Sequence, residues 1–156
     1  MAKKTKESKK LPIYILNGPN LNLLGEREPE VYGYTTLAQI GKMCEAQAAQ
    51  YGLATVFRQS NREGDIVDYL QEARTCASAV IINPAGYGHT SVAILDSILA
   101  LKIPVIEVHL SNIHRRDPFR SHSYVSKGAT GIIMGFGAQG YLRAVDAIAE
   151  ILKGKK

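Results

Sequence analysis

Leu11-Pro12-Ile13-Tyr14-Ile15-Leu16-Asn17-Gly18-Pro19-Asn20-Leu21 is the first apolar stretch of the chain. Leu11 to Leu16 reads as a short strand, and the Asn-Gly-Pro-Asn turn that follows stops it. Arg27 and Tyr32 come next, in a segment punctuated by Gly25, Pro29 and Gly33. Loops at the carboxyl ends of strands are where open α/β sheets bind ligands. An arginine beside a tyrosine is one way to make a phenol basic, because a guanidinium favours the ionised oxygen. Tyr32 is therefore a candidate general base that calls for no metal or cofactor.

Outward from this stretch, strand-like and helix-like segments alternate to the end of the chain, the pattern of a parallel sheet wrapped by helices. The strands are expected at Ile13–Asn17, Ala54–Gln59, Ala79–Asn83, Val105–His109 and Gly131–Met134, each short and bounded by Gly, Pro or polar residues. Helices are expected at Thr36–Tyr51, Gly64–Cys76, Ser91–Leu101 and Gln139–Lys153. The last carries an apolar stripe at Leu142, Val145, Ile148, Ala149 and Leu152. Gly52 and Gly154 stand where helix ends favour glycine. The expected fold is α/β, a single-domain, flavodoxin-like, doubly wound sheet of five parallel strands in the order 2-1-3-4-5, over residues 11–153. Its ligand crevice would lie beside the first strand.

At 156 residues and 46% hydrophobic content, the chain suits one globular domain. The net charge of +5 belongs to the ends: residues 1–10 carry +4 and Lys153 to Lys156 +3, which leaves the body at −2. That body has no general phosphate-binding footprint, so no nucleic-acid partner is expected. Residues 1–10 read as a disordered basic tail. No membrane span or signal sequence is expected, because Pro12, Asn17, Gly18 and Pro19 break the first apolar run. Cys44 and Cys76 lack CxxC spacing and are expected as buried thiols in a reducing cytoplasm.

Three further segments carry chemistry. Asn83 to Ser91 reads Asn-Pro-Ala-Gly-Tyr-Gly-His-Thr-Ser after the third strand; such a turn binds anions with backbone amides, brings Asn83 and His89 to the crevice, and caps the next helix with Thr90 or Ser91. Asp96, two turns into that helix, faces solvent or a neighbouring subunit. Glu107 and His109 end the fourth strand two positions apart, hence on one face. A carboxylate beside an imidazole orients it and favours the protonated ring, a general acid suited to expelling a hydroxyl. Leu110 and Ser111 then open a long connection to Thr130 holding His114, Arg115, Arg116, Arg120 and His122. Arg116 and Arg120, four apart, would share a face and clamp an acid if the segment were helical.

Gly135 to Gly140 fits GxGxxG, but the further strand and acidic residue of a dinucleotide site are missing, so a tight turn is the better reading. A nucleotide-sensing module built on that turn, and a nucleic-acid binder built on the lysine-rich ends, are the competing functional classes. No strand ends in a lysine, which disfavours imine chemistry.

Together these segments resemble type II 3-dehydroquinate dehydratase. The resemblance runs from about residue 12 to 152. It rests on Asn17–Leu21, Arg27-Glu28-Pro29 with Val31-Tyr32-Gly33, Arg58-Gln59-Ser60-Asn61, His89-Thr90-Ser91, Glu107 to Asn112, and Arg120-Ser121-His122-Ser123-Tyr124. It implies anti elimination of water from 3-dehydroquinate through an enolate, without metal or other cofactor. That reaction is shared by the shikimate pathway of aromatic amino acid biosynthesis and by quinate catabolism. By the resemblance, Tyr32 would be the base and Arg27 would keep it ionised. Asn20 would hold a water against the enolate oxygen, and His109, oriented by Glu107, would protonate the departing hydroxyl. Asn83, His89, Leu110, Ser111, Arg116 and Arg120 would bind the substrate, and a neighbouring subunit's Asp96 would reach the site. The segment from Arg27 to Tyr32 would act as a lid, and the assembly would be a cytoplasmic dodecamer of four trimers. Ala85-Gly86 and Gly88 depart from the family's usual order of glycine and threonine in that turn.

Overall fold

Short segments rich in Ile and Val, too brief for helices, form five strands, of which the three central ones are buried throughout. The structure, a computed structural model, describes residues 10–155; apart from Lys10, the expected basic tail lies outside the described residues. The strands are β1 (Ile13–Asn17), β2 (Thr55–Gln59), β3 (Ala79–Asn83), β4 (Val105–His109) and β5 (Gly131–Met134). They are parallel throughout and ordered β2-β1-β3-β4-β5, as expected. The helices are α1 (Pro29–Tyr32), α2 (Leu37–Ala49), α3 (Glu63–Cys76), α4 (Val92–Leu99) and α5 (Gln139–Lys153). The single turn α1 escapes periodicity, since four residues are too few to show a period.

Side-chain alternation divides the core in two. Ile13, Ile15, Ile81, Ile106 and Val108 point to the face packed by α2 and α5. Tyr14, Leu16, Val80, Ile82 and Val105 point to the face packed by α3 and α4. β1, β3 and β4 are buried along their whole length, whereas β2 and β5 are edges and half-buried.

Local chemistry fixes the boundaries. Thr36 caps α2 rather than entering it: its hydroxyl accepts from Gln39 N at 3.2 Å, and the Gln39 side chain accepts from Thr36 N at 2.8 Å. Ser91 caps α4 the same way, accepting from Ile94 N at 3.0 Å. Gly52 holds φ +69°, the left-handed turn that follows α2, but Gly154 has φ −74° and meets no such demand. Cys44 is buried in the core, and burial pushes its thiol up to about 12. Cys76 is a correction: it is exposed, because it is the last residue of α3 and lies off its apolar stripe.

Candidate active site

Between β1 and β3 the chain reverses its direction of travel across the sheet, so the loops after these strands diverge and leave a crevice. The strand ends meet so closely that only glycine fits at position 18. A Cβ there would sit 2.3 Å from the Pro84 carbonyl oxygen, and Gly18 N donates to the Asn83 carbonyl at 2.8 Å. Above this junction opens a cleft of about 150 Å³. Asn20, Arg27 and Tyr32 line it from the loop after β1, Asn83 and His89 from the end of β3 and its turn, and His109 to Ser111 with Arg116 and Arg120 from β4 and its long connection. Of the residues singled out in the sequence, the structure brings all of these together. Glu107 lies beneath His109, fully buried, and Asp96 is exposed on α4, outside this chain's own cleft.

One wall is phenolic. The Arg27 and Arg116 guanidinium carbons lie 5.3 and 5.1 Å from the Tyr32 ring centre. The hydrogen bond to the phenol oxygen comes from Arg116 Nη1, at 2.7 Å, whereas Arg27 Nη2 pairs with Glu28 at 3.0 Å. Arg116, expected to hold substrate, thus takes the contact anticipated for Arg27. The segment around Arg116 and Arg120 is not an α-helix: Arg116 is extended and a 3-10 turn covers Pro118–Arg120. The two arginines therefore share the cleft without sharing a helical face, since Pro118 has no amide hydrogen with which to continue the preceding turn.

Another part of the lining is a buried, hydrogen-bonded His109–Glu107 pair. His109 Nε2 donates to Glu107 Oε1 at 2.7 Å, and His109 lines the cleft. Burial alone pushes the Glu107 carboxyl up, but the His109 ring and the Ser123 and Ser126 hydroxyls donate to it and hold it below the usual carboxylate range. His89 stacks on His109 at 6.4 Å between ring centres. Its Nδ1 donates to the His122 carbonyl at 2.6 Å, while His122 Nε2 returns a bond to the His89 carbonyl at 2.9 Å. Burial pushes the His89 ring below its ordinary value, so a neutral His89 presents Nε2 as an acceptor.

The floor is a polar knot that sequence reasoning missed. Tyr141 of α5 is fully buried; its hydroxyl donates to Asn17 Oδ1 at 2.7 Å and accepts from Asn83 Nδ2 at 2.9 Å. Asn83 Oδ1 in turn accepts from Ala85 N at 3.1 Å. Within an amphipathic helix, a tyrosine flanked by Gly140 and Leu142 looks like ordinary core, and nothing local announces its hydroxyl. Asn61 was also overlooked in this role: its Oδ1 accepts from Asn20 N at 2.9 Å and fixes the left-handed turn there. Among the described residues, no three His, Cys, Asp or Glu side chains converge as a metal site.

Backbone strain marks the same loops. Asn20, Glu28 and Ala85 are the non-glycine residues with positive φ among those described; Asn20 and Ala85 line the cleft and Glu28 adjoins Arg27. Ala85 at φ +50° stands where glycine would be unstrained, and Gly86, with open space around it, makes no such demand. Gly88 is the crowded position instead, since a Cβ there would come within 3.0 Å of the Pro84 ring and 3.2 Å of Ser123 Oγ. Ala85→Gly is accordingly expected to leave stability unchanged or raise it by up to about 1 kcal/mol, relief of strain outweighing added chain entropy. Thermal unfolding checks this, and a clear loss would show that Ala85 is not strained.

The family described as Dehydroquinase class II matches residues 11–149. The chain belongs to the class II dehydroquinases. It is 59% identical over 141 residues to the 3-dehydroquinate dehydratase of Caulobacter sp. strain K31, covering 90% of this chain and 96% of that one. It is 55% identical over 141 residues to its namesake in Streptomyces coelicolor, covering 90% of each. A crystal structure of the type II dehydroquinase from Propionibacterium acnes superposes with a TM-score of 0.87 at 40% identity, over 92% of this chain and 97% of that one. This class II dehydroquinase is thus an enzyme, and its cleft lies at the switch point of a flavodoxin-like sheet. None of its described helices is long and apolar enough to cross a membrane.

Proposed function

We propose that this enzyme is a hydro-lyase that removes water from 3-dehydroquinate to give 3-dehydroshikimate through an enolate. The observation that carries the mechanism is that one cleft is lined both by a phenol held by guanidinium and by a carboxylate-paired imidazole. Tyr32, its hydroxyl oxygen held by Arg116 and its ring faced by Arg27, takes a proton from the carbon next to the ketone. The electron pair of that C–H bond moves onto the ketone oxygen, where Asn20 positions a water. When the enolate collapses, the C–O bond one carbon further on breaks, and His109 delivers a proton to the leaving oxygen from the opposite face, as anti elimination requires. One proton and one hydroxide depart, and no oxidation state of the enzyme changes.

Arg120, Ser111 and the Leu110 backbone are suited to the substrate carboxylate, and Asn83 and neutral His89 to its hydroxyls. The lid role of Arg27 to Tyr32 is supported by positive φ on both sides of α1, at Glu28 and Gly33.

The direct test is ultraviolet absorbance of the conjugated enone formed from 3-dehydroquinate. Steady growth of the absorbance is expected, and a folded protein that produces none would sink the proposal.

We also infer a dodecamer of four trimers in which Asp96 completes a neighbouring cleft. Val92, Asp96 and Leu99 form one stripe of α4, and both apolar members are more than half exposed, at 51% and 61%. A monomer in sedimentation at micromolar concentration would count against this assembly. The cytoplasm suits the two free thiols, and recovery of a secreted, disulfide-linked form would argue otherwise.

A further inference from the structure

The long connection from Leu110 to Thr130 contributes more than arginines. Glu107 is fully buried, and both of its oxygens are engaged: Oε1 accepts from His109 Nε2 and Ser123 Oγ, and Oε2 accepts from Ser126 Oγ. A carboxylate accepts three such bonds; a protonated acid would have to spend one oxygen as a donor and lose a partner. Neither serine lines the cleft. Both lie in a segment pinned elsewhere: Tyr124 N donates to the Gly88 carbonyl at 2.7 Å, and the His89–His122 exchange stitches it to the turn after β3. A 3-10 turn at Val125–Lys127 brings Ser126 back to the same carboxylate as Ser123.

We propose that Ser123 and Ser126 are positioning residues for the dehydration, a two-hydroxyl clamp that fixes the Glu107 carboxylate and, through it, the orientation of the His109 ring. The inference rests on the assignment of His109 as the acid. The groups that bear on the carboxylate are few. His109, on the same strand, is in contact with it, and among the described residues the serine hydroxyls reach it from the packed loops. Beyond His109 stand His89, and then His122 and Arg120, each of which acts on His89. The clamp also explains why a loop of this length is tethered so firmly at one end. The piece that presents Arg116 and Arg120 to the substrate is the piece that sets the charge of the acid's partner.

The test is the pH profile of kcat/KM for Ser126→Ala, with Ser123→Ala and the double variant alongside. Loss of a donor to the ionised form raises the pH at which Glu107 takes up a proton. The acidic limb is therefore expected to move up by about one pH unit per hydroxyl removed, and activity below that limb to fall by about tenfold. KM should stay near its parental value, since neither serine touches the cleft. Ser126→Thr, which keeps a hydroxyl, should restore the parental limb. Ser126 is only half-buried, so its variants fold even if the more buried Ser123→Ala does not. Alanine variants with the parental pH profile, or with a loss uniform at every pH, would overturn the clamp. Absence of turnover in the unsubstituted enzyme would instead overturn the dehydratase reading itself.

Discussion

Tyr32→Phe is expected to lower kcat on 3-dehydroquinate by about a hundred- to ten-thousand-fold, the contribution of a positioned general base. The substitution removes one oxygen and leaves the ring beside both guanidiniums. Arg116 loses its acceptor but is only half-buried and can be solvated, so the unfolding midpoint should barely move. KM should change little, because the phenol acts on the proton being removed rather than on the resting substrate. Hydrogen exchange gives a second reading. If Tyr32 removes the proton beside the ketone, the phenylalanine variant should also fail to wash deuterium from heavy water into the substrate. Turnover like that of the parent enzyme would end the assignment.

His109→Gln is expected to cost a similar factor in elimination, about a hundred- to ten-thousand-fold, by a different route. The glutamine amide can still donate to Glu107, so the buried carboxylate is not stranded; its removal as a partner altogether would cost about 3–5 kcal/mol. An amide cannot deliver a proton, so the hydroxyl must leave unaided. Proton removal by Tyr32 does not need His109, and exchange of the substrate hydrogen should therefore persist while water loss collapses. The two variants separate the two halves of the reaction: one loses both exchange and elimination, the other elimination alone. Should His109→Gln eliminate water at the parental rate, the acid must be sought elsewhere in the cleft.

The sheet was legible because its strands are short, apolar and separated by helices long enough to show a period; only α1, a single turn, lay below that threshold. The site was legible wherever a chemistry-bearing residue stood at or just beyond a strand end, as Asn83, Glu107 and His109 do. What stayed hidden depended on distance along the chain. Tyr141 meets Asn17 across 124 positions, and Ser123 and Ser126 meet Glu107 across 16 and 19. A serine in a polar loop and a tyrosine in an amphipathic helix carry no local mark of such partners. Arg27 and Arg116 compete for one phenol, and only the path of the long connection decides which donates to its oxygen.

Tyr141 has a consequence for how the enzyme comes into being. It belongs to the last described helix, residues 139–153, yet its hydroxyl joins the ends of the first and third strands beneath the cleft. A chain halted before that helix would have every cleft-lining side chain already made and still lack the hydroxyl that bridges the Asn17 and Asn83 side chains. Catalytic competence must therefore wait until residues 139–153 have been made and have docked, and cannot build up as each strand emerges.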